Sequence, residues 1–245
     1  MMKRLIQHFT IPCYDTDASG FLKPVSFMNM AQEAAGQHAV YLGFGYDDLI
    51  ATNTAWILSR VTVDFIDTPK WRDEVTLTTW HKGLNRLFFI RDFVLTDKEG
   101  KERIKATTSW LILNLETRRL VRDPGLTEEG TVCTDNAIET PADKVVMPKD
   151  VEPQHVMEHV VSYSDVDMNR HTNNAMYMQW AMDAVDYETA SSMPVRRFTI
   201  NFNHETKAGD CVNIYRACVN QEDGLHVFVE GKVGDVSSFT VEIVF

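Results

Sequence analysis

The chain has 245 residues, 44% hydrophobic and 24% charged, a balance that supports one large or two small cores. No run reaches the roughly 18 apolar residues of a membrane helix, and a formal net charge of −11 argues against nonspecific nucleic-acid binding, which needs clustered cations. Cys13, Cys133, Cys211 and Cys218 form no CxxC pair and the start MMKRLIQHFTIPCYDTD has no signal-peptide pattern, so a cytoplasmic protein with free thiols and no zinc centre or disulfide is expected.

In chain order, Lys3–Tyr14 reads as a strand and residues 15–20 as a turn. A helix opens at Pro24: Val25, Met28, Ala31, Ala35, His38 and Leu42 recur at helical spacing, and Phe27, Met30, Ala34 and Tyr41 make the neighbouring faces apolar, so it is wrapped by other structure. Gly43 and Gly45 end it, and Tyr46–Thr52 reads as a short helical turn. Strands are expected at Ala55–Phe65, Glu74–Lys82, Leu87–Leu95 and Ile104–Leu115, with turns at residues 82–85 and 97–100. Residues 124–150, with Pro124, Gly125, Gly130, Pro141 and Pro148 and no sustained period, read as a linker. Beyond it come a strand (Gln154–Tyr163), a helix (Asn174–Ser191) and strands at Arg197–Asn203, Cys211–Val219, Leu225–Glu230 and Ser237–Phe245.

Both halves therefore share one order, and the residues repeat as well. At an offset of 150, Asp15, Asp17, Met28, Ala31 and Ala34 meet Asp165, Asp167, Met178, Ala181 and Ala184; at 137, Arg60–Phe65 meets Arg197–Phe202, and Lys70 and Asp73 meet Lys207 and Asp210. The difference falls at the Gly43–Thr54 insert, a sensible place for an indel. A duplication is implied, each half an antiparallel meander that must bury an all-round apolar helix. The expected class is α+β, a tandem (double) hot-dog fold in which each half is a curved antiparallel sheet around a long helix. A single eight-stranded barrel would leave both helices unexplained. Domains are placed at residues 1–125 and 151–245, joined by a linker over 126–150. Charge is uneven between them: residues 1–125 carry 16 Lys+Arg against 15 Asp+Glu, and 151–245 carry 6 against 14.

Chemistry concentrates at residues 164–174, SDVDMNRHTNN. Asp165, Asp167, Asn169 and His171 alternate, so an extended lead-in would put them on one face, just ahead of a helix that Asn173 or Asn174 caps. The start of that helix offers free N–H groups and a positive dipole end to a carbonyl oxygen gaining charge. Taken alone, the run reads equally well as an Asx-rich turn with a cap.

SDVDMNRHTNNAMYMQW, FTINFNHETKAGD, WILSRVTVDFIDTPKWRDEVTLTTW and ATTSWLILNLETRRLVRDP together resemble the acyl-acyl carrier protein (acyl-ACP) thioesterases of plants and bacteria over nearly the whole chain. The resemblance implies hydrolysis of fatty acyl-ACP thioesters to free fatty acid, ending chain elongation, with acyl carrier protein as partner, no cofactor and no metal. It places catalysis at Asp167, Asn169, His171 and Glu205: Glu205 and His171 activate water, Asn169 positions water or carbonyl, and Asp167 fixes the constellation. The first half has Ser19, Phe21 and Thr68 where the second has Asn169, His171 and Glu205, so it is read as catalytically degenerate and as the acyl-chain binder, with Met28, Ala31 and Ala35 on its helix. Thr206 stands where the family often has Cys, which argues against an obligatory thiol nucleophile here, although an anhydride at a carboxylate stays open. Arg118 and Arg119 (near Arg122) and Arg196 and Arg197 are candidates for docking the acidic carrier, against the plainer reading that they are solvated or paired structurally.

Other features have plainer readings. His155 and His159 fit HxxEH, but on a strand residues four apart lie about 13 Å from each other, too far to share a metal. His204 is expected at the surface, and single methionines are by default core filler. Competing functions are an acyl-CoA thioesterase of the same fold, a noncatalytic acyl-binding sensor and a hot-dog dehydratase. Acyl length, ACP against CoA preference and a homodimer are left open.

Overall fold

The structure, a computed structural model, describes residues 3–122 and 130–245. The expected boundary near residue 125, with Pro124 and Gly125, lies outside the described residues. The chain divides into two compact units, residues 1–142 and 143–245. No described helix is long and apolar enough to cross a membrane.

The first unit runs β1 (Leu5–Thr10), α1 (Pro24–Leu42), α2 (Tyr46–Ala51), β2 (Thr54–Phe65), β3 (Glu74–Asn85), β4 (Phe88–Asp97) and β5 (Glu102–Asn114). Its antiparallel sheet has the order β1-β3-β4-β5-β2. Register decides what is buried. Leu77, Thr79 and His81 of β3 align with Leu95, Phe93 and Arg91 of β4, with Ile104, Ala106 and Thr108 of β5 and with Phe65, Val63 and Val61 of β2, and all twelve are buried. α1 lies on that face: Phe27 meets Phe65 edge-on at 6.3 Å, and His38 Nδ1 accepts from Arg91 Nη1 at 2.8 Å. Burial lowers the Arg91 pKa to about 10. Pro24 starts α1 and Gly43, at φ 80°, ends it in the left-handed conformation that glycine adopts without strain.

The second unit repeats this plan with β6 (Gln154–Val160), α3 (Asn174–Asp183), α4 (Tyr187–Ser192), β7 (Arg197–Phe202), β8 (Cys211–Gln221), β9 (Gly224–Val233) and β10 (Val236–Val244). Its order β6-β8-β9-β10-β7 is the first unit's, strand for strand. Here Phe198, Ile200, Val227, Val229, Val241 and Ile243 are buried, and Gly231 is required: a Cβ would come within 2.1 Å of the Phe239 ring, which packs on Tyr177 at 5.2 Å. The duplication reaches single bonds. Ile11 N–H donates to Asp73 O and Val161 N–H to Asp210 O, both at 2.9 Å, while Lys70 N–H reaches Asp73 Oδ2 and Lys207 N–H reaches Asp210 Oδ2, both at 2.8 Å. Each unit is a hot-dog fold.

Three local expectations need correction. The single helix Asn174–Ser191 is two, because the buried side of β8 presents Arg216, whose Nη1 takes Ala184 O at 2.9 Å and Asp186 Oδ1 at 2.8 Å and so closes α3 where α1 continues. The turn expected at residues 82–85 is strand: β3 runs on to Asn85 past a bulge between His81 and Gly83, and Arg86, at φ 57°, carries the reversal. The described part of the linker is bound to the outward sheet faces. Cys133 N–H donates to His81 O, Trp80 Nε1 to Asp135 O and Ala137 N–H to Asp92 Oδ2, each at 2.8 Å. In the second unit Val145 N–H donates to Asn201 Oδ1 at 2.7 Å, and Val145, Met147 and Val151 cover Ala217 and Phe228.

Candidate active site

The stretch 165–173 does not form an extended face. Residues 163–165 are a 3-10 turn, Val166 and Thr172 make an antiparallel bridge, and residues 167–171 close a tight loop between them. Asp167 N–H donates to His171 O at 3.0 Å and Arg170 N–H to Asp167 O at 2.9 Å, with Arg170 at φ 63°. The first unit builds the same loop from Asp17, Gly20 and Phe21 at 2.8 and 3.0 Å, but there glycine takes the left-handed position. A non-glycine residue in that conformation costs on the order of 1–2 kcal/mol.

Within the loop the acids have separate work. Asp167 Oδ1 accepts Asn169 N–H at 2.8 Å and Oδ2 faces Asn169 Nδ2 at 3.4 Å, an Asx turn that orients Asn169 and reaches His171 only through the backbone. Asp165 points the other way and is 1% exposed. Its Oδ2 receives Ser162 N–H at 2.7 Å, His159 Nε2 at 2.9 Å and Ser162 Oγ at 3.0 Å, while its carbonyl accepts Asn173 N–H at 2.8 Å. The His159 ring packs tilted against Trp180, centroids 4.4 Å apart, so strand, loop and helix are tied at this carboxylate. Burial alone would raise the Asp165 pKa, but the bonds from Ser162 and His159 outweigh it and hold the carboxyl below its usual range.

That depression gives a signed expectation for Asp165→Asn. A carboxylate with a lowered native pKa contributes stability above its unfolded value of about 3.9 and loses it as pH falls through the native value. The variant should therefore melt several degrees below wild type at pH 7, with the gap closing below about pH 4. Equal melting temperatures at pH 7 would show that these bonds contribute nothing.

Glu205 enters from the segment after β7. Its Oε2 lies 3.5 Å from His171 Nδ1 and its Oε1 3.6 Å from Lys207 Nζ. The His171 and Glu205 side chains are 35% and 37% exposed, open to water and to an entering substrate. Beside them α3 begins: Asn173 Oδ1 caps Ala175 N–H at 2.9 Å and Asn173 O accepts Met176 N–H at 2.9 Å, which leaves the Asn174 amide outside these bonds. An imidazole and a carboxylate thus meet a helix start, an arrangement able to serve acyl transfer through an oxyanion.

Residues 3–125 match the acyl-ACP thioesterase N-terminal domain and residues 148–243 the acyl-ACP thioesterase C-terminal domain. The chain belongs to the acyl-ACP thioesterase family. Members of that family are thioester hydrolases. The chain is 25% identical to the chloroplastic oleoyl-acyl carrier protein thioesterase of Coriandrum sativum over 96% of its length and 68% of that protein's. It is 28% identical to the chloroplastic palmitoyl-acyl carrier protein thioesterase of Gossypium hirsutum over 81% of its length and 51% of that protein's. It therefore spans roughly half to two thirds of these plant relatives. The crystal structure of an acyl-ACP thioesterase from Bacteroides thetaiotaomicron superposes with a TM-score of 0.80 at 26% identity, covering 99% of this chain and 98% of that one. The 12:0-ACP thioesterase from Umbellularia californica has the same fold, with a TM-score of 0.80, 20% identity and coverage of 98% and 93%.

Within this acyl-ACP thioesterase family member, the other residues singled out by sequence fall in separate places. Met28, Ala31 and Ala35 lie on the buried side of α1, 5%, 8% and 6% exposed. Arg118 and Arg119 are exposed in the turn after β5, where Asn114 exchanges backbone bonds with both at 2.9 Å. Arg196 and Arg197 are both exposed, and the Arg196 guanidinium donates to Phe245 O at 2.6 Å and to Asp223 O and so closes the end of the second sheet. His204 Nδ1 meets Ser237 O at 3.0 Å and is exposed. His155 lies on β6 beside Asn213 Oδ1 at 3.1 Å. Sequence reasoning missed Thr172 and Tyr177, which with Thr206 form a buried hydroxyl cluster; its signal was the contrast with Leu22, Phe27 and Pro69 at the matching positions.

Proposed function

We propose that this chain hydrolyses fatty acyl thioesters carried on acyl carrier protein, with the site in the second unit and the first unit holding the acyl chain along α1 at Met28, Ala31 and Ala35. The observation that carries this reading is His171 Nδ1 and Glu205 Oε2 at 3.5 Å beside the start of α3. A water held by this pair gives up its proton as its oxygen bonds to the thioester carbon. The carbonyl oxygen gains the charge and takes hydrogen bonds from the Asn174 amide and Asn169, with Asp167 orienting Asn169. Collapse of the tetrahedral species breaks the C–S bond, and the carrier thiolate recovers the proton. Thr206, 1% exposed and hydrogen-bonded on both sides, is not offered as a nucleophile.

The deciding assay is release of free fatty acid from matched panels of acyl-ACP and acyl-CoA thioesters. A higher kcat/KM on the carrier-bound series supports this reading. A uniform preference for coenzyme A would reassign the substrate, and no release from either would remove the enzymatic reading.

Carrier docking has its own test. A −11 chain needs a local cationic surface to receive an acidic partner, and Arg118 with Arg119 provides exposed positive charge after β5. The double reversal Arg118→Glu/Arg119→Glu is expected to raise KM for acyl-ACP severalfold while changing KM for acyl-CoA much less. Parallel increases on both substrates would count against docking there. Arg197 is the next candidate; reversal at Arg196 should instead lower stability, because its guanidinium is bound to two backbone carbonyls.

A further inference from the structure

We propose that Thr172, Thr206 and Tyr177 form a buried positioning device of the second unit, which clamps the residue after His171 to the residue after Glu205. The inference rests on the site proposed above and adds the means by which its two halves are held in register. Thr172 Oγ1 lies 2.6 Å from Thr206 Oγ1, Tyr177 Oη lies 3.0 Å from Thr206 Oγ1, and Thr206 N–H donates to Tyr177 Oη at 3.0 Å. A backbone bond, Thr172 N–H to Thr206 O at 2.9 Å, runs beside them.

The duplicated unit shows that the fold does not need these hydroxyls. At the matching positions the first unit has Leu22, Pro69 and Phe27, all buried, and the same backbone bond runs from Leu22 N–H to Pro69 O at 2.8 Å. Pro69 has no N–H, so nothing there corresponds to the bond from Thr206 to the phenol. An apolar trio thus builds the same corner where Phe21 and Thr68 stand in place of His171 and Glu205. Burying three hydroxyl groups costs free energy unless each is hydrogen-bonded. The second unit accepts that requirement at 5%, 1% and 3% exposure for Thr172, Thr206 and Tyr177, next to His171 and Glu205. Burial also raises the Tyr177 pKa, so the phenol keeps its proton; it accepts Thr206 N–H and shares a hydrogen bond with Thr206 Oγ1 in which either hydroxyl can donate.

The cluster acts on the peptide between Glu205 and Thr206. With the Thr206 amide fixed by the phenol and its hydroxyl fixed by Thr172, the Glu205 carboxylate has its backbone origin tied to that of His171. A misplacement of about 1 Å in such a pair costs up to a hundredfold in rate.

Tyr177→Phe copies the first unit's Phe27, and Thr206→Val keeps the side-chain shape without the hydroxyl. Each is expected to lower kcat about tenfold with KM changed less than about twofold, and to displace a limb of the kcat–pH profile. Thr206→Ser, which restores the hydroxyl, should return kcat to within about threefold of wild type. Wild-type kcat and pH profile in both Tyr177→Phe and Thr206→Val would overturn the proposal. So would a loss shared equally by Thr206→Ser and following the melting temperature. If Tyr177→Phe does not fold, the Val and Ser substitutions at Thr206 decide alone. His171→Ala and Glu205→Ala run alongside separate the two levels: full activity in them refutes the site and the cluster's role together. Inactivity there, with Tyr177→Phe and Thr206→Val unaffected, refutes only the positioning.

Discussion

Replacing His171 or Glu205 by alanine is expected to lower kcat by about a hundredfold or more while leaving the far-UV circular dichroism and melting temperature near wild type. The magnitude follows from the loss of a general base that takes the proton of attacking water. Preservation of the fold follows from burial, since both side chains are more than a third exposed and each meets its partner across 3.5 Å, outside the tighter bonds that build the loop. Those bonds belong to Asp165, Asp167 and Asn173 and stay in place in either variant. Because the two residues serve one step, the double variant should be little worse than the weaker single one. Wild-type turnover in both single variants would sink the assignment. A large loss in one alone would identify that residue as the base.

Ala35→Phe should move chain-length preference toward shorter acyl groups, with the ratio of kcat/KM between short and long substrates rising about tenfold or more. Ala35 is 6% exposed on α1, close to Ala31 and Met28 on the buried side of that helix. If the first unit holds the acyl chain there, an added ring removes length from the space and leaves the reacting end untouched, so kcat on the best substrate survives. The competing outcome is overpacking, which costs about 1–3 kcal/mol and shows as a lower melting temperature with activity reduced at every chain length. Measuring both quantities on one preparation separates the two.

Several features were legible in the order of residues. Local periodicity, glycine and proline punctuation and the offsets of 150 and 137 identified two copies of a helix-and-meander unit, because each depends on residues near one another in sequence. The contrast between Ser19, Phe21 and Thr68 in one copy and Asn169, His171 and Glu205 in the other pointed to the unit proposed to carry the chemistry. Alternation misled at Asp165, since a period of two predicts a shared face only in an extended strand, whereas the 3-10 turn over 163–165 is set by the bonds to Ser162 and the loop holding left-handed Arg170 by its own backbone bonds.

What only the tertiary structure decided lies in contacts between elements far apart in the chain. α3 stops at Asp183 because Arg216, more than thirty residues later, arrives on the facing strand to bind Ala184 O and Asp186. Residues 126–150 read as a linker by composition, yet their described part is bound to sheet faces whose polar atoms, Asp92 Oδ2 and Asn201 Oδ1, await backbone donors. The pairing of Thr172 with Thr206 follows from the segment after β7 meeting the lead-in to α3, which no periodicity encodes. Hydrophobic patterning specifies which face of an element is buried; hydrogen-bond geometry across that face specifies which polar atoms meet, and it exists only once the elements have packed.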